Sequence, residues 1–244
     1  MKLISYPIVA AWHSRSIHLL RLLNRLLNRC LTALLLLLFF SLPLPTTAQI
    51  VTSLPVMLQK KQLITIPAND IQVLKDKTHP GVTTKGIVWL KGVNFEQGTI
   101  DVDLRGKDVF LQSFLGIAFH GVDTLTYDVV YFRPFNFQHP DTLRRNWSVQ
   151  YMSMPDHGWP QLRKESPLTY EHSVQPVPRA DDWFHCRLQI TKTTVRVFVN
   201  YAANPSLTVD LLNQRSEGLI GLWADGLSGD FSNLTIHPYS APKR

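Results

Sequence analysis

The chain has 244 residues, with 25 Lys and Arg against 18 Asp and Glu, a formal charge of +7. Five of the basic residues (Lys2, Arg15, Arg21, Arg25 and Arg29) fall in the first 48 positions, which hold no acid, so residues 49–244 carry 20 basic against 18 acidic side chains. That near-neutral body lacks the concentrated basic patch that nucleic-acid binding requires. Only Cys186 lies beyond position 48, which excludes an intramolecular disulfide there, and no CxxC or His/Cys cluster suggests structural zinc.

Residues 1–48 read as a secretory leader. A basic head precedes the apolar run Leu31–Phe40, in which Thr32 is the sole polar residue, and Thr46-Thr47-Ala48 supplies small residues before Gln49. The apolar run is shorter than the roughly 20 residues of a comfortable membrane span. Cys30 precedes it, on the wrong side for lipid acylation. The expectation is cleavage after Ala48, a secreted or periplasmic location, no membrane span in the product, and a monomer. A retained anchor is the alternative.

The remaining 196 residues fit one domain with a sizeable core. Residues 49–84 form an N-terminal strand and lead-in, irregular apart from the apolar piece Leu63-Ile64-Thr65-Ile66. Beyond them, β-branched and aromatic runs alternate with Gly, Pro, Asn and Asp, predicting strands over 86–90, 98–105, 114–120, 126–133, 147–152, 183–191, 194–200, 207–211, 218–223 and 231–236. No helical apolar period is sustained over three turns, so the fold class is all-β, an antiparallel sandwich. In 98–105, Ile100, Val102 and Leu104 alternate with Asp101, Asp103 and Arg105, which sends the apolar set inward and the charged set to the opposite face. The stretch 186–200 reads as a hairpin turning near Lys192-Thr193, with Leu188, Ile190, Val195, Val197 and Val199 inward and Cys186 on the buried side. Gly226 and Gly229 permit a tight turn before the last strand. The stretches 134–146 and 153–182 read as long functional loops, and 239–244 as a tail.

Gly98-Thr-Ile-Asp-Val-Asp-Leu, Phe114-Leu-Gly-Ile-Ala-Phe, Val130-Tyr-Phe-Arg-Pro-Phe, Val195-Arg-Val-Phe-Val-Asn and, at the end, Gly218-Leu-Ile-Gly-Leu-Trp with Gly229-Asp-Phe-Ser-Asn-Leu-Thr-Ile carry a resemblance. Residues 85–238 resemble the concanavalin A-like lectin/glucanase superfamily, and within it secreted bacterial laminin-G-like and 3-keto-disaccharide hydrolase-like domains. The resemblance implies a two-sheet antiparallel jelly-roll sandwich with a glycan groove on its concave side, and either hydrolysis of a (keto-)sugar glycoside or non-catalytic glycan binding or adhesion. It implies carbohydrate as the partner, and calcium as the one metal to consider, with Asp225 and Asp230 flanking the glycine turn; an ordinary turn is the simpler reading of that pair.

The Glu-x-Asp-x-x-Glu or Glu-x-Asp-x-Glu motif of the superfamily's retaining glucanases is absent, and Asp101-x-Asp103 is the nearest acidic pair. Glu171, where the long loop returns toward the sheet, is the candidate acid or base, with Asp103 the next carboxylate; Asp103 and Arg105 are alternatively a solvated ion pair. Tyr131, Trp159 and Tyr151 supply flat faces for sugar rings, and Arg105, Arg133, Arg144 and Gln150 supply hydrogen bonds to hydroxyls. The competing reading makes Arg133 and Arg144 clamps on loop carbonyls.

Overall fold

A computed structural model describes residues 50–51, 53–65 and 71–239, together with Arg25 and Leu27. Apart from Arg25 and Leu27, the leader read into residues 1–48 lies outside the described residues. Within residues 50–239 the α-helices are short: α1 (Leu54–Gln59), which begins with Pro55 near its N-terminus, α2 (Thr142–Arg145), whose N-terminal N–H of Leu143 is capped by Asp141 Oδ1 at 2.9 Å, and α3 (Trp159–Glu165), with a single 3-10 turn at Pro134–Asn136. No described helix is long and apolar enough to cross a membrane. The described strand pairs are all antiparallel.

The strands are β1 (Ile50–Val51), β2 (Leu63–Thr65), β3 (Gln72–Val73), β4 (Gly81–Phe95), β5 (Gly98–Arg105), β6 (Ser113–Gly121), β7 (Tyr127–Phe132), β8 (Val149–Met154), β9 (Glu171–His172), β10 (Phe184–Ile190), β11 (Thr194–Val199), β12 (Leu207–Asp210) and β13 (Gly218–Pro238). Among the described residues they hydrogen-bond along one path, β12-β11-β10-β5-β13-β6-β7-β8-β9, with β4 along the other side of β13. Leu219–Gly226 of β13 pairs with β6, and Asp230–Pro238 pairs with β5. Two arms therefore diverge from a shared β4–β13 ribbon: β6 to β9 in the first, β5 and β10 to β12 in the second.

The reversal expected at Gly226–Gly229 is absent, because β13 runs through it as a bulge. Its register against β4 shifts between Ala224 and Gly229, then resumes with Gly229 opposite Thr84. Gly226 has φ +73°, and a Cβ there would lie 2.1 Å from the Gln112 carbonyl oxygen, so only glycine fits. Gly86, paired with Ala224 at the same place in β4, has φ +78°. The freedom of these glycines is absorbed in bending a paired ribbon.

Both arms face one core. Leu115, Ile117, Phe119, Val130 and Phe132 of the first arm join Ile100, Val102, Leu104, Phe184 and Leu188 of the second in one apolar cluster. Phe184 meets Phe132 edge-on at 5.0 Å and Phe137 at 5.3 Å. The predicted inward set of the 186–200 hairpin is fully buried, its turn lies between Thr191 and Thr194, and burial pushes the Cys186 thiol far above its ordinary range. The two arms differ on their outer faces. In β10, Cys186 and Leu188 are buried while Arg187 is exposed, whereas every residue of β7 is buried. A second apolar cluster, including Trp89, Tyr127, Tyr131, Met152 and Leu162 of α3, covers the outside of the first arm.

Phe132→Ala removes a ring held by both arms. It should cost about 3–5 kcal/mol, measured by urea unfolding monitored at two wavelengths, with one cooperative transition retained. Separate transitions for the two arms would contradict a shared core.

Candidate functional site

Period two places Tyr127, Val129 and Tyr131 of β7 and Gln150, Met152 and Met154 of β8 on the outer face of the first arm, beside Phe114 of β6 and Trp223 of β13. Gly121 and Gly221 make room there for the Trp89 ring, which would lie 2.4 and 2.6 Å from a Cβ at these two positions. Over this floor, Gly158, Trp159 and Pro160 at the start of α3 close one side of a cleft of about 350 Å³. Tyr131 packs on Trp223 at 5.2 Å, Trp223 Nε1 donates to the Tyr127 hydroxyl at 3.3 Å, and Trp159 is 47% exposed, so stackable ring surface faces solvent. Among the described residues Asp225 is the one carboxylate lining the cleft, and its Oδ1 accepts the Gly226 N–H at 2.8 Å.

Behind Tyr131 lies a buried polar network. Arg133 donates to the Trp147 carbonyl at 2.8 Å and also to the Tyr131 hydroxyl and Gln150 Oε1. Tyr131 donates to the same Oε1 at 2.8 Å. Burial pushes the Tyr131 phenol up to about 12 and works against the charge on Arg133. Glu171 of β9, 1% exposed, accepts two hydrogen bonds from Arg163 at 2.8 and 2.6 Å, and its Oε2 lies 3.6 Å from Arg133 Nη1. The Arg163 guanidinium lies 4.0 Å from the centroid of Trp147 and 5.2 Å from that of Trp159.

Of the residues singled out from the sequence, the structure brings Tyr131 and Trp159 into the cleft and places Arg133, Gln150 and Glu171 in the network behind it. It leaves four elsewhere. Tyr151, neighbour of Gln150, points to the core side of β8 and donates to Asp128 Oδ1 at 2.9 Å. Arg144 lies over Phe110 at 4.4 Å, outside the cleft lining. Asp103 and Arg105 belong to the second arm and do not pair with each other: Asp103 meets His185 Nδ1 at 2.8 Å and accepts from Asn233 Nδ2 at 2.7 Å, while Arg105 binds Asp230 at 2.9 Å and stacks on Trp183 at 4.7 Å. Asp230 is thus taken by Arg105 and Thr83, and among the described residues no group of three or more His, Cys, Asp or Glu side chains is placed to hold a metal ion.

Tyr127 and Trp223 were not singled out from the sequence, and Asp225 was weighed there only with Asp230 as a calcium ligand. Tyr127 and Tyr131 share the parity that would have marked a common face. Trp223 required knowing that β13 lies beside β6. The second arm's outer face holds a further cluster, in which His185 bridges Asp101 and Asp103. Burial opposes the charge on all three, but the mutual hydrogen bonds, with Arg187, outweigh it, lowering both carboxyls and raising His185 to about 9.

No family model matches the chain, and no curated protein matches it. Among solved structures, it is similar to a carbohydrate-binding module, CBM66, from Bacillus subtilis, at 12% identity over 72% of this chain and 95% of the other, with a TM-score of 0.48. It is similar to a functionally unknown protein from Saccharomyces cerevisiae at 15% identity, over 74% of this chain and 98% of that one, with a TM-score of 0.47. A xylan β-1,4-xylosidase from Bacillus halodurans matches at 13% identity, over 73% of this chain and 37% of its own, with a TM-score of 0.46.

Glu171→Gln weakens both arginine contacts while keeping the side chain's shape. Its removal from a buried pair should cost about 3 kcal/mol, read as a lower urea midpoint. An unchanged midpoint would show that the carboxylate is not an anchor.

Proposed function

We propose that the chain is a carbohydrate-binding domain that holds a neutral sugar in the aromatic cleft of the first arm. One observation carries this reading: Tyr127, Tyr131, Trp159 and Trp223 line a single cleft of about 350 Å³, with methionines at its floor and one carboxylate at its rim. Sugar rings present apolar C–H faces to such walls, and the phenol, indole and carboxylate groups meet their hydroxyls. We read the two arms as the two layers of a jelly-roll sandwich, and residues 1–48 as the leader that exports it.

Binding is favoured over hydrolysis. Ordinary glycoside hydrolysis uses two carboxyl groups across the sugar bond, roughly 5–9.5 Å apart, whereas among the described residues the cleft lining holds Asp225 alone. Glu171 in this reading is a positioning residue. It fixes Arg163, and Arg163 in turn steadies the indole of Trp159, the exposed wall of the cleft. Arg133 and Gln150 orient the Tyr131 hydroxyl from behind.

Trp159→Ala and Trp223→Ala should each weaken binding of a neutral oligosaccharide by about tenfold or more, the equivalent of one aromatic stacking contact, as titration calorimetry measures. Wild type should release no reducing ends from the same sugar. Release that disappears in Asp225→Asn would identify a hydrolase instead.

A further inference from the structure

The outer face of the second arm carries an aromatic group for which the fold gives no packing reason. Tyr201, in the turn after β11, is 75% exposed. It is nonetheless held firmly on one side: its ring stacks on His185 with centroids 4.0 Å apart and planes 11° from parallel. His185 is itself fixed between Asp103 at 2.8 Å and Asp101 at 2.9 Å. The turn is fixed too, since Asn200 Oδ1 accepts the His185 backbone N–H at 2.9 Å. Asn200 and Tyr201 both adopt positive φ, 48° and 59°, a conformation unfavourable for residues bearing a side chain. The result is a ring presented to solvent with its free face outward.

Beside that ring is an open groove of about 380 Å³, bordered by Asp101, Arg187, Asn233, Thr235 and His237. Arg187 gives its Nε–H to Asp101 at 2.7 Å, and its side chain, 45% exposed, borders the groove. Donors and acceptors are mixed around the ring. The charges nearly cancel, with Asp101 and Asp103 set against His185 and Arg187, so nothing selects a strongly ionic ligand. The groove is shallow and open, which suits the middle of a chain and not an enclosed end.

We propose that this face is a second saccharide-binding site, in which a neutral sugar ring stacks on the free face of Tyr201 and is hydrogen-bonded by Arg187 and Asp101. Its residues do not overlap those of the aromatic cleft, so the two sites stand or fall separately. Strand β13 serves both, giving Trp223 to the cleft and Thr235 and His237 to this groove. Two such sites on one domain raise avidity for a polymer that reaches both, or cross-link two polymers.

The test is fluorine NMR of the protein labelled with 3-fluorotyrosine, with the Tyr201 resonance identified from Tyr201→Phe. The probes are neutral hexasaccharides of glucose, xylose, mannose, galactose and arabinose, with hexagalacturonate as the acidic control. The Tyr201 resonance should shift with at least one neutral probe. The shift should persist in Trp159→Ala, and Arg187→Ala should weaken the association by about tenfold, with the unfolding midpoint of each variant checked. A Tyr201 resonance unmoved by every neutral probe, one moved by hexagalacturonate alone, or a shift abolished by Trp159→Ala would each overturn the proposal. The Tyr127 and Tyr131 resonances report on the cleft in the same spectra, so failure of either site is distinguished from failure of the other.

Discussion

The structure depends on one strand serving two arms. β13 spans 21 residues and changes its partner from β6 to β5 while β4 follows it along the other side. That exchange needs a bend in a fully paired ribbon, and the left-handed Gly226 and Gly86 supply it where a side chain at 226 would strike the backbone of Gln112. Once the ribbon bends, the inner faces of both arms meet, and Phe132 can reach Phe184. The same alternation that sends Leu222 and Ala224 into the core sends Trp223 and Asp225 out to the cleft.

The two outer faces then diverge in chemistry. The first arm is covered on its outside by aromatics and by α3, so its strands are buried on both sides and polar groups there must be satisfied internally. Asp128 is an example: fully buried, it accepts from Tyr151 at 2.9 Å and Asn213 at 2.6 Å and pairs with Arg215 at 3.2 Å, tying the segment before β13 to β7. Burial opposes its charge, and these partners together with His120 hold its carboxyl below the usual range. Glu171 does comparable work beneath the cleft wall. The second arm carries its charged side chains on its outer face, where His185, flanked by the buried Asp101 and by Asp103, braces an exposed tyrosine.

The strands were largely legible in the sequence, because their local signals agree with the final packing. Residues 98–105 show a clean alternation, and the structure gives them those bounds as β5. The 225–231 stretch misled because glycine pairs signal a reversal as readily as a bulge, and which one forms depends on whether β4 pairs past them. The candidate site was legible in part. Tyr131 and Trp159 were recognisable as aromatics beside long loops, though only Trp159 is exposed. Glu171 stood out as a carboxylate near them, but nothing local showed that Arg163, eight positions earlier, would clasp it. Asp103 and Arg105 share a strand face, yet cross-strand neighbours His185 and Asp230 claim them, and those pairings arise only from tertiary register. Tyr151, named with Tyr131 and Trp159 as a flat face for a sugar, lies on the core side of β8, because neighbouring strand residues point opposite ways.

The most direct measurement is a crystal structure of the protein grown with a neutral hexasaccharide that binds it in solution. The account predicts a sugar ring lying parallel to the indole of Trp159 or Trp223, within the cleft bounded by Tyr127 and Tyr131, and an intact glycosidic chain. A cleft left empty while the sugar occupies some other surface, or a cleaved sugar held against Asp225, would contradict it.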